Sequence, residues 1–349
     1  MQEIDLGELG WSPFFQQQLS LDEAEQAMPA RVVEVQRTGL RVLSRVGEHE
    51  VVLGGRWFTG VPESRPTVGD WLLLDTTGSA QRLLDRSSVF KRIAPGGRGE
   101  IQLLAANVDV AFVVSSCNDE FNPSRLERYL ALAIDAHVDP VIVLTKMDLA
   151  EDADAYVDEA RAIRAGLNVE VVNALDATTL TGVRAWCRTG QTVALMGSSG
   201  VGKSTLLNTL SGDDVQETGA IREADGRGRH TTSHRSLHLL PGGGLLLDSP
   251  GMRELQIVDS EHGVAQMFED IDGLTLQCRF SDCAHDSEPD CAIQAALLDG
   301  TLDERRLANY YKLRREDAHN TESVAERHQR VRQWSKQVRA RNDLSHKKR

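Results

Sequence analysis

The sequence predicts a multidomain chain with an all-β N-terminal segment, a central α/β domain and a C-terminal module of α-helices stapled by a metal. Three observations predict it. Residues 31–98 carry short runs of alternating apolar and polar residues, separated by Gly, Pro and Ser, with no helical periodicity between them. Residues 99–260 carry apolar strand-like runs at 110–114, 141–144, 192–196 and 245–247, each giving way to a polar loop, as buried parallel strands do. Residues 261–349 hold a compact group of Cys and His and then Ala-, Leu- and Arg-rich helical stretches.

Taken in order, residues 1–30 are acidic and Gln-rich. Their one apolar cluster, Leu9 with Trp11, Phe14 and Phe15, marks an extension that docks locally. The runs at 31–35, 40–43 and 68–74 suit a small barrel of the OB-fold type. Such barrels often hold RNA on aromatic and basic platforms. Trp57, Phe58 and Trp71 serve equally well as core, so a docking barrel and an RNA-binding barrel both stay open. Arg92 to Gly99 reads as a polar, Gly-rich linker.

The central domain carries the chemistry. Thr192 to Met196 is a buried strand, and residues 204–210 have helical spacing with Gly212 placed to cap the C-terminus. Between them stand Gly197, Ser198, Ser199, Gly200, Val201, Gly202, Lys203 and Ser204, followed by Thr205. Strand, Gly-rich loop and helix is the context that the phosphate-loop pattern requires. Its glycines let the backbone close on an anion with N–H groups inward, at the positive end of a helix. Lys203 would reach the β- and γ-phosphates, and the Ser204 hydroxyl would ligate Mg²⁺. Asp248 ends another apolar strand 45 residues after Lys203 and opens Asp248-Ser249-Pro250-Gly251, where an acid holds Mg²⁺ through water and the Gly251 N–H senses the γ-phosphate.

A third strand run ends in Thr145-Lys146-Met147-Asp148. This is similar to the Asn-Lys-x-Asp motif that reads guanine in GTPases. The Asp148 carboxylate can accept from two guanine N–H groups that adenine lacks, while the Lys146 stem covers the ring. Thr145 stands in place of Asn; one hydroxyl makes one hydrogen bond, so weaker affinity with retained guanine preference is expected. Asn173 and Ala174, after Val171 and Val172, would supply a short backbone clamp on the base. The parts run base reader, clamp, phosphate loop, switch, Asp-x-x-Gly, so the order is circularly permuted. Ligands bind beyond the carboxyl ends of parallel strands, and moving the chain termini preserves such a site. The permuted order also sends the chain from Gly251 directly into the C-terminal module.

Residues 213–236 are polar and Gly-rich, a loop suited to changing order with nucleotide. Thr231 and Thr232 are both candidates for the switch hydroxyl on Mg²⁺. His230 either positions water or joins Arg227 and Arg229 in a basic RNA-facing cluster. Met252 follows Gly251, where many GTPases place a water-orienting Gln. A thioether cannot align water, so slow intrinsic hydrolysis accelerated by a partner is expected.

Cys278, Cys283, His285 and Cys291 fall within fourteen residues as C-x4-C-x-H-x5-C. Three thiolates and an imidazole are a full tetrahedral set for one structural zinc ion, with no open position for catalysis. Cys117 and Cys187 read as core thiols. Five cysteines without a secretion signal point to reduced thiols and a cytoplasmic location. No apolar run approaches the ~20 residues of a membrane span. The chain carries −13 overall, yet residues 305–349 hold 14 Lys or Arg against 5 Asp or Glu. That basic end favours phosphate-backbone contact over simple solvation.

These residues together resemble the ribosome small-subunit-dependent GTPase A family, the circularly permuted ribosome-assembly GTPases, over roughly residues 30–315. The resemblance implies an N-terminal OB-fold, a permuted P-loop GTPase domain and a zinc module with helices. It implies GTP hydrolysis to GDP and phosphate late in maturation of the small ribosomal subunit, stimulated by that subunit. The partners would be the subunit with its rRNA, GTP and GDP, with no membrane, and the chain would act as a monomer. A reading of a different class is a GTP-sensing rRNA-binding assembly module with little turnover. A metabolic P-loop kinase is disfavoured, because no acceptor-binding lid is apparent and Thr145 to Asp148 reads guanine.

Overall fold

The computed structural model describes residues 3–36, 39–59, 61–94, 101–212, 235–248, 252 and 255–321. Its N-terminal unit contains β1 (Met28–Val35), β2 (Leu40–Ser44), β3 (Gly47–Val51), β4 (Trp71–Leu74) and β5 (Ala80–Leu83). All pairings are antiparallel, in the ladder order β3-β2-β1-β4-β5. Period-two alternation gathers Val32, Leu40, Val42, Val51, Leu72 and Leu74 into one small core. Among the described residues β5 pairs only with β4, so no ladder between β3 and β5 closes a ring.

The acidic extension folds onto this unit as α1 (Pro13–Gln16) and α2 (Leu21–Gln26). Ser20 and Glu23 form a reciprocal capping box that starts α2. Leu9 and Phe15 are buried against Trp71, Leu73 and Leu84, and the Trp11 ring meets Trp71 edge-on at 4.8 Å. Trp71 is core, Trp57 is partly covered and Phe58 is 55% exposed. Arg92 and Ile93, expected in a linker, instead end a strand, β6 (Val89–Ile93). It pairs with β7 (Ile101–Ala106), because Val89, Ile93, Ile101 and Leu103 share an apolar face with Val258.

The central domain runs β8 (Val110–Ser116), α3 (Pro123–Asp135), β9 (Asp139–Thr145), α4 (Ala153–Ala162), β10 (Asn168–Val171), α5 (Thr181–Ala185), β11 (Thr192–Met196), α6 (Lys203–Ser211), β12 (Ser236–Leu239) and β13 (Leu245–Asp248). Its five parallel strands lie in the order β10-β9-β8-β11-β13, and two apolar clusters cover the two faces. Antiparallel β12 then joins β13 to β1, with Glu34 opposite Ser236, so one mixed sheet continues from the central domain into the N-terminal unit.

The C-terminal module comprises α7 (Glu261–Met267), α8 (Glu269–Thr275), α9 (Ala292–Asp299) and α10, a helix over 304–321. It grips α3. A Cβ on Gly263 would lie 2.2 Å from the Ala131 carbonyl oxygen, so only glycine lets α7 come this close. Glu127 of α3 is fully buried and accepts from Arg305, Arg306 and Asn309 at 2.6–3.1 Å. Arg128 forks onto Glu316 at 2.6 and 2.5 Å. Among the described residues no helix is long and apolar enough to cross a membrane.

Arg31 on β1 joins the parts. Its guanidinium is buried, and it donates to the Leu9 carbonyl at 2.6 Å, the Asn107 carbonyl at 2.9 Å and the Thr192 hydroxyl at 3.0 Å. Burial pushes it down to about 10, against the pull of Asp109 and Asp70, so it stays charged at neutral pH. Extension, sheet and central domain thus share one cation. Arg31→Met keeps bulk but strips three buried acceptors of their donor, and should lower stability by about 3 kcal/mol. Urea unfolding measures this; a loss under about 0.5 kcal/mol would show the cation to be dispensable.

Candidate nucleotide site

Parallel pairing brings the carboxyl ends of β9, β10, β11 and β13 to one edge of the sheet. Thr145 to Asp148, Asn173 and Ala174, Gly197 to Ser204, and Asp248 leave those four ends in turn. The structure therefore collects at one place motifs that the chain presents in permuted order. His230, Thr231, Thr232 and Gly251 lie outside the described residues.

The phosphate loop needs glycine for two distinct reasons. Gly197, Gly200 and Gly202 all take positive φ, at +142°, +83° and +89°. A Cβ on Gly197 would also stand 2.3 Å from the Val114 carbonyl oxygen of β8. Gly202 caps the start of α6, whose first residues are Lys203, Ser204 and Thr205, and Gly212 at φ +75° ends it. Lys203 is mostly buried, with its ammonium on the Ser198 carbonyl, at the mouth of the loop. Asp248, at the end of β13, is only partly buried. This arrangement suits a polyphosphate: a Gly-rich loop at a helix N-terminus, an ammonium, and a carboxylate on the neighbouring strand.

Thr145 has a different task from the one its motif position suggests. Its side chain is fully buried, and its hydroxyl faces the carbonyls of Val201 at 2.6 Å and Ser115 at 3.1 Å. The hydroxyl ties β9 to the phosphate loop and to β8. Lys146 adopts φ +59°, which turns the chain sharply into a short 3-10 turn, Met147–Leu149, that carries the exposed Asp148. Met147 N–H donates to Val172 at 3.3 Å and Val172 N–H donates to Leu144 at 2.8 Å, so the two base-side loops are laced together. Asn173 spends its side-chain oxygen on the Leu175 N–H at 3.0 Å, a local turn. The Ala174 carbonyl accepts from Thr209 of α6 at 2.6 Å. Met252 is fully buried in the main core.

Two residues of the site went unnoticed in the sequence. On α3, Arg125 donates to the Ser198 hydroxyl; burial raises the Tyr129 phenol one turn on, which lies near enough to that hydroxyl to be lowered by it in part. They belong to no phosphate-loop pattern, and their spacing of one helical turn is the only trace they leave.

A second cluster lies in the C-terminal module. Ligand atoms of Cys278, Cys283, His285 and Cys291 all fall within 4.8 Å of one another. Cys278 Sγ is 3.5 Å from His285 Nδ1 and 3.9 Å from Cys291 Sγ. Tetrahedral ligands around zinc stand roughly 3.5–3.8 Å apart, given bonds of about 2.0–2.3 Å, so the donors fit that ion. Desolvation would raise the Cys278 thiol. The N–H groups of Ala292 and Ile293, at the start of α9, overcome it and hold the thiol below its usual range. Burial pushes Cys117 and Cys187 up, to about 11 and about 12, consistent with inert core thiols.

The comparisons with known proteins agree with this geometry. The RsgA GTPase family matches residues 83–258. The ABC transporter family matches 180–346, a span that includes the phosphate loop but not Thr145 to Asp148. The small ribosomal subunit biogenesis GTPase RsgA 2 of Vibrio vulnificus is 48% identical over 97% of this chain and 95% of its own. The small ribosomal subunit biogenesis GTPase RsgA of Mesorhizobium japonicum is 50% identical over 90% and 91%. Among solved structures, YjeQ from Thermotoga maritima superposes with a TM-score of 0.61 at 25% identity, over 82% of this chain and 97% of that one. YloQ, described as a circularly permuted GTPase, gives a TM-score of 0.59 at 24% identity, over 86% and 96%. Identity near one half across almost the full length, on a sheet that gathers permuted motifs at one edge, makes this chain a member of the RsgA GTPase family.

Proposed function

We propose that the chain binds GTP with Mg²⁺ and hydrolyses it to GDP and phosphate while acting in maturation of the small ribosomal subunit. The observation that carries this reading is the meeting of the base reader, phosphate loop and Asp248 at one sheet edge. It is joined by the names of the full-length relatives, which are small-subunit biogenesis GTPases. Asp148 would select guanine, and Asn173 and Ala174 would bound the base. Lys203 would hold the β- and γ-phosphates. Ser204, Asp248 and one of Thr231 and Thr232 would hold Mg²⁺, which when bound neutralises phosphate charge. Gly251 would sense the γ-phosphate, and His230 would face water or RNA. In this reading the N-terminal unit is an OB-like barrel over 31–98, the nucleotide domain spans 99–260, and a zinc-stapled module with a basic end follows. The protein would work in the cytoplasm as a monomer, with rRNA as its contact.

One observation favours a second reading, a GTP-sensing rRNA-binding module with little turnover. Met252 is sunk in the core rather than facing solvent, so it holds no attacking water. Both readings expect slow basal hydrolysis; they part on the subunit.

Purified small subunits should raise GTP turnover at least about tenfold and leave ATP unhydrolysed, as followed by phosphate release. Equal use of the two nucleotides would overturn the guanine assignment, and GTP-dependent binding without turnover would establish the second reading. Asp148→Asn exchanges an acceptor for a donor and should cost about 100-fold in GTP affinity, with less discrimination against ATP. Lys203→Ala should weaken GTP binding by a similar factor in equilibrium titration. Metal analysis should find one zinc per chain. Chelation or Cys283→Ala should lower the thermal midpoint by several degrees, and an unchanged midpoint would argue against a structural ion.

A further inference from the structure

Helix α3 touches the phosphate loop and the C-terminal module at once. It follows β8, the strand beside β11, and starts on an Asn122 cap with Pro123 in its first turn. Three residues later Arg125 Nη1 donates to Ser198 Oγ at 2.5 Å. Tyr129 follows one turn on; against the larger rise from burial, its phenol is near enough to the same hydroxyl to be lowered by it. A serine hydroxyl has one proton and two lone pairs, so accepting from Arg125 leaves it free to donate to the phenol. Ser198 is the second residue of the loop, and its carbonyl is the one that Lys203 grips. The Arg125 guanidinium also pairs with Glu120 at 3.6 Å, but both side chains are more than a third exposed, so solvent weakens that ion pair.

The helix itself has little freedom. Arg305 donates to the Ser124 hydroxyl at 2.9 Å, and Asn309 donates to the Ser124 carbonyl at 3.1 Å. Glu127 and Arg128 are fastened to α10 as described above. Arg125 is thus presented to the loop by a helix held on both sides of it in sequence.

We propose that Arg125 is a positioning residue for the nucleotide phosphates, fixing the Ser198 peptide, and with it Lys203, from a helix clamped to the C-terminal module. The proposal rests on the GTP reading above. The Ser198 peptide sets how Lys203 and the loop N–H groups face the nucleotide, so releasing it lowers both affinity and rate.

A double-mutant cycle on the full chain tests this, with GTP affinity and hydrolysis read for wild type, Arg125→Ala, Ser198→Ala and the pair. Each single change should weaken GTP binding about tenfold, and the double should be no worse than the weaker single. Arg125→Lys, which can still donate one charged bond, should return affinity to within about threefold of wild type. That rescue separates positioning from a damaged fold, as does an unchanged Tm for Arg125→Ala, whose side chain is 39% exposed. Multiplicative effects, an Arg125→Ala variant with wild-type kinetics, or no recovery with Lys would each overturn the proposal. A wild-type chain that bound no GTP would instead remove the functional reading, and this proposal with it.

Discussion

The register of β8 against its two neighbours is the constraint on which the site depends. Val113 lies beside Ile142 of β9 on one side and Met196 of β11 on the other. Thr145, opposite Ser116, therefore stands three residues further along than Met196 and overhangs the loop that begins at Gly197. The loop returns beneath it, and the Thr145 hydroxyl meets the Val201 carbonyl there. A slip of one residue would turn that side chain to the opposite face of the sheet. Close approach sharpens the requirement, since the Val114 carbonyl leaves no room for a Cβ on Gly197. Chain order enters nowhere in these contacts, which is why a permuted sequence can build the same edge.

What permutation changes is the neighbourhood of α3. The chain beyond β13 turns into α7 to α10, and these helices pack on α3 through buried polar contacts. Glu127 is the decisive one: a carboxylate withdrawn wholly from water, matched by two guanidiniums and an amide. Leaving such a group without partners costs several kcal/mol, so the module has a strongly preferred seat. The Arg279–Asp290 pair on the Cys and His loop is different, with both side chains more than 60% exposed. It contributes little to that seat. At the other end of the sheet, the single Glu34–Ser236 pairing binds the N-terminal unit to β12, and the Arg31–Thr192 contact binds it to β11.

Local features were readable from sequence and long-range ones were not. The phosphate loop, its strand and helix, and the Gly212 cap all lie within about twenty residues, where spacing alone carries the signal. The Cys and His cluster is equally compact, and its donors do converge. Nothing near Glu127 in the chain announces Arg305, Arg306 or Asn309, which lie 178–182 residues away. Arg31 likewise looks like an ordinary strand charge until Thr192, 161 residues on, supplies its partner. The linker expectation at Arg92 and Ile93 failed for a related reason. A strand of five residues shows itself only through its partner, and β7 lies across a Gly-rich stretch that hides the pairing.

The replacement of Asn by Thr at position 145 shows how a departure from a motif can be relocated by geometry. By motif position alone the change falls on the base, since a hydroxyl offers fewer bonds than an amide. In the fold the hydroxyl is already committed to two carbonyls, at 2.6 and 3.1 Å, and one proton cannot serve both fully. An amide carries two protons and could satisfy each. The shortfall therefore falls on the tie between β8, β9 and the phosphate loop. Gly202 packs close against it: a Cβ there would sit 3.2 Å from Thr145 Oγ1 and crowd that tie. Asp148, by contrast, is held out in solvent by the 3-10 turn, free of that network.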